Sequence, residues 1–569
     1  MSSRSIAMNA VGGASRRFLH KDQWVQAAGL LIAAAFLLVA MVLPLYAILS
    51  KSVQNKAGDF VGLENFIAYA SSPSLFDSVL NSLFIASLTT VIVITLALLA
   101  AYALTRSCMP FKGVIRLLMM GPIFAPSLLP AISLVYLFGN QGFLKSWLFG
   151  ESIYGPIGIV ISLSFWCFPH ALMILITALS NTDARLYESA KALRTSGWRT
   201  FFTVTLPSIK YGLISASFVV FTLVITDFGA PKVIGGQYDV LATDIYKQVI
   251  GQQNFQMGAV VSVILLLPAM LAFAADRWVQ KKQVALVTSR AQPYRAEPNR
   301  RKDVSMLALC LPIIAIVIGV LGTAVYASFV TFWPYNLSLS LNNYQFDLMD
   351  GGGWDAYFNS IEMAFYTALF GSFLIFTNAY LVEKVQGMRA LRGLVHLFAM
   401  IPLAVPGLVL GLAYIFFFNA PNNPLNSLYG TMGILVICTI AHYYTVCHLT
   451  SITALKQIDK EFEAVSASLK VPFYQTFLRV TLPLCLPALL EVGIYLFVNA
   501  VNTVSAVVFL YSANTTLASV SILNMDDAGD IAPAAAMGVL LMLTCMGVKL
   551  LHWLLSRQLI NNTQAWRKA

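Results

Sequence analysis

Asp227 and Glu491 stand inside long apolar runs, where an acid costs about 2.5–3.5 kcal/mol on membrane-insertion scales and usually faces a cavity or a partner. Glu491 lies eight residues past Pro483, about 12 Å along a helix rising 1.5 Å per residue. Asn499 and Asn502 follow eight and eleven residues later, a spacing compatible with one helix face. The matching run in the first half carries Ser215, Ser217, Thr222, Thr226 and Asp227. These groups are the candidate lining of a solute path, with Glu491 or Asp227 meeting a cationic group such as an ammonium. The alternative is interhelical hydrogen bonding that only holds a bundle together.

Covalent chemistry has little to work with. His442 and His448 share a run, but six residues do not return to one helical face, which favours packing or a backbone hydrogen bond over a proton relay. Glu362 sits at the outer end of its run. The seven cysteines (Cys108, Cys167, Cys310, Cys438, Cys447, Cys485 and Cys545) lie in or beside apolar runs and form no C-x-x-C pair, so neither a disulfide nor a metal site is expected. No nucleophile has a base beside it, and no G-x4-G-K-[ST] phosphate loop is present. The chain is read as no enzyme, binding no cofactor of its own.

The elements that position these residues follow from composition. Hydrophobic residues make up 58% of the chain and charged residues 11%, half or less of a soluble domain's usual share. Twelve runs are long enough to span a bilayer, at 24–50, 79–105, 115–139, 157–180, 208–228, 256–275, 305–330, 360–382, 394–418, 431–452, 484–510 and 532–556. Unbroken runs without alternating polarity select helices over a barrel. The fold class expected is an all-α membrane protein of twelve transmembrane helices. The first run is 27 residues long and Ser50-Lys51-Ser52 is no cleavage site, so it reads as a retained anchor, not a signal peptide. Alternate connections are basic, beginning with Arg4, Arg16, Arg17 and Lys21. Basic loops stay cytoplasmic, which places both termini inside. The net charge of +11 is then topology and not a nucleic-acid footprint.

The chain is an internal duplication. Asn81-Ser82-Leu83 returns as Asn359-Ser360-Ile361, Ala101-Tyr102 as Ala379-Tyr380, and Pro122 and Pro126 as Pro402 and Pro406. Tyr154-Gly155 returns as Tyr429-Gly430, and Leu63-Glu64-Asn65-Phe66 as Leu341-Asn342-Asn343-Tyr344. Six spans separate matching points, so the halves share one orientation as a parallel repeat. The boundaries expected are a cytoplasmic segment 1–23, repeats 24–275 and 305–556, a cytoplasmic linker 276–304 and a tail 557–569.

The most informative echo is a polar loop in each half, 181–207 and 456–483. Leu193, Phe201, Val204, Thr205, Leu206 and Pro207 reappear as Leu469, Phe477, Val480, Thr481, Leu482 and Pro483. Asp183 and Asp459 are expected helix N-caps, followed by acids near the positive end of the dipole. Ser196-Gly197 and Pro472 are expected to break each helix before a short aromatic segment and a Leu-Pro that starts the next span. A helix-break-helix knob with an apolar face is shaped to plug a groove in another protein.

Glu-Ser-Ala-x5-Ser-Gly-Trp-x2-Phe-x2-Val-Thr-Leu-Pro, read from Glu188 to Pro207, resembles the "EAA" loop of permeases of binding-protein-dependent ABC importers, and the resemblance covers nearly the whole chain as two fused permease domains. It implies that Glu188, Ala190, Gly197, Trp198, Phe201, Leu206 and Pro207 in one loop, and Glu463, Ala467, Phe473, Phe477, Leu482 and Pro483 in the other, couple to two copies of a cytoplasmic ABC ATPase. It further implies one periplasmic substrate-binding protein at the outer face, and ATP consumed by the partner, since no cytoplasmic segment reaches the ~50 residues of a small domain. Two departures stand out: the family's usual glycine falls at Arg194 and Lys470, which assigns the turn to Gly197 and Pro472, and the second copy has Ala464 where a glutamate is usual. Asp227-Phe228-Gly229-Ala230-Pro231 and Leu241-Ala242-Thr243-Asp244-Ile245-Tyr246 resemble fused permeases for iron(III), thiamine or 2-aminoethylphosphonate, and residues 247–255 and 507–512 most resemble the last. The rival architecture is a twelve-helix ion-coupled secondary transporter; a membrane scaffold without transport is a third reading.

Overall fold

Proline decides where the spanning helices stop being straight. The computed structural model describes residues 21–284, 292, 294–385, 387–459 and 461–563. Most of the expected N-terminal segment, residues 285–291 and 293 of the linker, and the end of the tail lie outside them. Among the described residues, ten helices are long and apolar enough to cross a membrane. In chain order the elements used below are α1 (Asp22–Ser52), α2 (Pro73–Arg106), α3 (Lys112–Phe124), α4 (Leu128–Phe138), α5 (Pro156–Ser180), α6 (Ala184–Ala192), α7 (Gly197–Thr226), α8 (Gly229–Ile234), α9 (Leu241–Tyr246) and α10 (Phe255–Val279). The second half follows with α11 (Arg300–Phe329), α12 (Gly353–Lys384), α13 (Arg389–Ala404), α14 (Gly407–Phe418), α15 (Met432–Lys456), α16 (Glu461–Ser468), α17 (Phe473–Asn502), α18 (Ala518–Ala528) and α19 (Ile531–Arg557).

The expected spans 115–139 and 394–418 are each a bent pair, α3 with α4 at 101° and α13 with α14 at 116°. Ala125 and Val405 precede Pro126 and Pro406 and are extended, with ψ of 137° and 116°. A proline ring disfavours the α conformation of the residue before it, so both breaks follow from sequence. The Leu-Pro pairs, by contrast, do not start spans. Helices α7 and α17 begin ahead of them at Gly197 and Phe473, and a π-turn (Phe201–Thr205; Phe477–Thr481) carries each helix past its proline. The expected run 484–510 also overshoots, because α17 ends at Asn502.

Each half is built on three mutually packed helices, α2, α5 and α7 or α12, α15 and α17. The halves interlock through their first spans. Helix α1 packs on α12 and α13 of the second half, and α11 packs on α2, α3 and α4 of the first. The Tyr414 hydroxyl donates to Ala40 O at 2.7 Å across this seam. Two sequence echoes turn out to be backbone devices. Asn65 Nδ2 donates to Ser52 O and Gln54 O, and Asn343 Nδ2 to Ser328 O and Val330 O, tying off the first span of each half. Ser82 Oγ accepts from the Leu241 N–H and Ser360 Oγ from the Ala518 N–H, both at 2.8 Å, capping α9 and α18.

The halves differ where α5 meets α7. A Cβ placed on Gly212 would collide with the Cβ of Ala178, so only glycine permits this approach. The counterparts are Ala488 and Ala454, and there α15 and α17 stand apart around a groove of about 1540 Å3 that also carries Thr450, Gln457, Arg479 and Glu491. Gly212→Ala is expected to overpack this seam and destabilise the protein by about 1–3 kcal/mol, read as a lowered Tm in detergent, whereas Ala488→Gly should shift Tm far less.

Candidate functional site

The paired loops share one scaffold. In the first, Asp183 caps α6 by accepting from the Arg185 N–H at 3.1 Å, and in the second Asp459 accepts from the Glu461 N–H at 3.0 Å. Both loop helices then end at a basic residue in the left-handed region, Arg194 at φ 52° and Lys470 at φ 54°. Thr195 N–H reaches back to Ala190 O at 3.1 Å and Arg194 N–H to Lys191 O at 3.0 Å, and Val471 N–H likewise to Ser466 O at 3.0 Å. This is the Schellman stop, normally built on glycine. The turn therefore sits at Arg194 and Lys470, not at Gly197 and Pro472. Gly197 has open space around its Cβ position and simply begins α7. Ser196 Oγ caps that start by accepting from the Arg199 N–H at 3.3 Å. Pro472 offers no such side chain, and Asp22 from α1 of the other half accepts from the Phe473 N–H instead, at 3.3 Å.

A cation from the end of the second span secures each loop helix from within. Buried Arg106 donates to Leu179 O at 2.8 Å, to the Thr182 hydroxyl and to the Tyr187 hydroxyl at 3.2 Å. Its counterpart Lys384 donates to Ile458 O at 3.3 Å and pairs with Glu463 at 2.8 Å. Glu463 thus occupies the position of Tyr187 and is spent inside the molecule. Glu188 is exposed on its helix, where the second loop has Ala464.

Not all the loop aromatics face outward. Phe201 packs edge-on against Tyr102, centroids 5.6 Å apart, and Phe477 is buried against Tyr380 at 4.7 Å. Ala190 is buried too. The outward set is Leu186, Leu193, Trp198 and Phe202, matched by Phe462, Leu469, Tyr474 and Leu478. Leu193, Trp198 and Leu469 are 77%, 76% and 70% exposed. Trp198 stacks on Phe202 at 6.2 Å, because residues four apart share a helix face while position 201 lies about 100° round from 202. Exposed apolar clusters of this kind mark interaction surfaces. Leu193 and Leu469 belonged to the echo, and their apolar character beside polar neighbours was the signal that could have singled them out. Phe473, Leu206 and Leu482 are half-buried and Pro207 and Pro483 exposed, while the side chain of Ala467 lies outside the described residues.

Each candidate path residue has a partner within the protein. Ser215 donates to Asp276, and Ser217, Thr222 and Thr226 donate to carbonyls one turn back in α7. Asp227 accepts from the Ala230 N–H at 3.0 Å at the start of α8. Asn499 donates to Tyr495 O and Asn502 to Phe124 O of the other half. Glu491 is paired with Lys549 at 3.1 Å and lies 3.5 Å from His552, so it presents no unmatched charge. His448 meets His396 at 3.3 Å and not His442.

At the end opposite the loops the halves meet through a different set. Lys232 on α8 pairs with Asp527 on α18 at 2.9 Å and lies 5.3 Å from the ring centroid of Tyr246, which stacks on Phe509 at 6.2 Å. Phe477→Ala should destabilise the fold by about 3–5 kcal/mol, whereas Leu469→Asp should leave Tm nearly unchanged, a contrast that thermal unfolding of the two variants measures directly.

Residues 94–284 and 381–561 match the family described as binding-protein-dependent transport system inner membrane component. A ferric transport system permease protein of Actinobacillus pleuropneumoniae is 29% identical over 508 residues, covering 85% of this chain and 72% of its own. An Fe(3+)-transport system permease protein of Haemophilus influenzae is 23% identical over 473 residues, covering 81% and 86%. The molybdenum transport system permease protein of Escherichia coli is 24% identical over 219 residues, 36% of this chain and 93% of its own, so it matches a single half. In a solved bacterial alginate ABC transporter, in complex with its alginate pentasaccharide-bound periplasmic protein, one chain aligns with 46% of this chain and 95% of itself at 15% identity and a TM-score of 0.40. With both halves matched, this chain belongs to the binding-protein-dependent transport system inner membrane components, and it is a multi-pass transport subunit, not an enzyme.

Proposed function

We propose that this chain is the complete transmembrane pathway of an ATP-driven importer, with the loop end and both termini cytoplasmic. Each loop docks one copy of a cytoplasmic ABC ATPase, and the opposite face receives one periplasmic binding protein carrying a small solute. The observation that supports this most is the pairing of Leu186, Leu193, Trp198 and Phe202 with Phe462, Leu469, Tyr474 and Leu478, all exposed, on scaffolds with the same capping and stop geometry. Two equal apolar knobs suit two equal grooves. A secondary transporter has no use for them.

On this reading, ATP binding draws the two knobs together, and the halves rock until the Lys232–Asp527 contact at the outer end parts to admit solute. ATP supplies the difference in affinity for the two states that such a shift requires.

Ferric iron is the substrate supported by the relatives that span both halves. The reading of 2-aminoethylphosphonate rests on the resemblance of residues 247–255 and 507–512 alone, and draws no support from those relatives. A deletion strain grown under ferric-iron limitation, beside cultures with 2-aminoethylphosphonate as sole phosphorus source, separates the two by which culture fails. Failure of neither removes both substrate readings.

Two measurements test the machinery. Replacing Trp198 and Phe202 by Asp should abolish co-purification of the ATPase with a chain that still inserts, since truncating a buried aromatic anchor alone typically costs about 2 kcal/mol or more of binding. Normal recruitment would refute the docking assignment. Asp527→Asn should loosen the outer contact and raise ATP hydrolysis in the absence of binding protein, assayed in proteoliposomes.

A further inference from the structure

The connection between the halves is built into the first loop and not the second. Gln292 O accepts from the Ala184 N–H at 2.9 Å, at the first residue of α6. The Tyr294 ring lies 4.6 Å from that of Tyr187, and the Arg106 guanidinium stands 4.4 Å from one ring centroid and 5.0 Å from the other. Glu297 pairs with Lys191 on the same helix at 2.7 Å. That hydrogen bond favours both charges, pushing the Lys191 ammonium up and the Glu297 carboxyl down from their ordinary ranges. Asn299 then caps α11 by accepting from the Lys302 N–H at 3.2 Å. Asp303, in the first turn of α11, accepts the Cys108 N–H at 2.6 Å, and Ala296 O takes the Cys108 thiol at 3.3 Å. Lys302 stands 5.7 Å from the ring of Tyr102, which itself supports Phe201.

These contacts close a circuit. The first loop helix is tied through Gln292, Tyr294 and Glu297 to the start of α11, and α11 packs on α2, α3 and α4 of the first half and on α19 of the second. Movement of the first knob is therefore delivered to both halves at once. Among the described residues, the second loop helix is held by the Lys384–Glu463 pair, and its following segment donates to Asp22.

We infer that Gln292 and residues 294–303 form a strut that stiffens the first knob against α11, so that the two ATPase sites drive the pathway unequally. This rests on the docking reading above. Undoing the strut uncouples hydrolysis from transport without preventing docking, because Tyr294 and Glu297 contact Tyr187 and Lys191 and not the outward apolar residues of the loop. Tyr294 and Glu297 are positioning residues.

The test uses the full chain with its ATPase in proteoliposomes and compares the unmodified protein with the double variant Tyr294→Ala, Glu297→Ala and with Tyr294→Phe, which keeps the ring. Cys108 is the single exposed cysteine of the seven, so maleimide labelling reads strut contact independently of transport. Losing one cation–π contact and one exposed ion pair should speed labelling by about tenfold, and ATP consumed per solute delivered should rise several-fold, with Tyr294→Phe restoring both. Unchanged labelling would mean that the strut does not hold this loop, and faster labelling with an unchanged ATP-to-solute ratio would mean that it carries no force. An unmodified chain that recruits no ATPase would bring down the docking reading and the strut's mechanical role together, while the labelling result would still decide the contact.

Discussion

Every backbone N–H and C=O in a bilayer must find a partner within the protein, and the rest of this structure is arranged around the places where a helix cannot supply one. After α7 and after α17 the long helical path is interrupted, in the first half by loops on either side of the short α8 and in the second by residues 503–517, before it resumes in α9 and α18. Those unwound stretches are held by side chains of the second span in each half. Asn81 Nδ2 donates to Asp239 O, and Asn359 Nδ2 donates to Asn514 O and Thr516 O. The adjacent serines accept from the first N–H of α9 and of α18. A two-residue echo in sequence is thus a single device used twice: an amide for the incoming loop's carbonyls, a hydroxyl for the helix start. Irregular backbone is tolerated here because its polar groups find partners within the protein, and the short helices that it carries, α8 and α18, bring Lys232 to Asp527.

Duplication fixed the wiring more firmly than the chemistry. The cation at the end of the second span reaches its loop helix in both halves, but Arg106 is stacked and hydrogen-bonded to Tyr187 where Lys384 forms an ion pair with Glu463. The cap on the following helix comes from Ser196 in one loop and from Asp22 of the opposite half in the other. An arginine plane can share two aromatic rings and three acceptors, whereas a lysine is a compact charge that needs one carboxylate. The substitutions are therefore paired: exchanging Tyr187 for Glu without exchanging Arg106 would take away one of the two rings that the guanidinium faces and leave Tyr294 alone.

Sequence length, apolarity and the repeat made the bundle, its two halves and its two loops legible, since long apolar runs admit few alternatives. The bends were written in Pro126 and Pro406, but other prolines lie inside unbroken helices here, as Pro169 does in α5, so composition alone does not say which will break. Arg194 and Lys470 hid the stop signal because non-glycine residues pay a steric cost in the left-handed region and are read as helical. The resemblance groups Phe201 with Trp198 and passes over Phe202, and only the packing of Tyr102 against Phe201 shows which ring is the inner one. The partners of Glu491, Lys549 and His552, lie in the next apolar run, on a helix that spacing within one run cannot bring near.

The asymmetry between the halves bears on how a fused permease moves. In the first half the seam between α5 and α7 is closed to glycine contact at Gly212, and the loop helix beneath it is strapped to α11. In the second half alanines at both counterpart positions line an open groove, with the loop helix as its floor. Close-packed interiors transmit displacement, while a void absorbs it. A displacement applied equally to both loops then moves the first half as a body and deforms the second locally. Two separate, identical subunits could not differ in this way, because symmetry would force both seams to be alike; joining the halves in one chain is what allows the seam to be close-packed in one and open in the other.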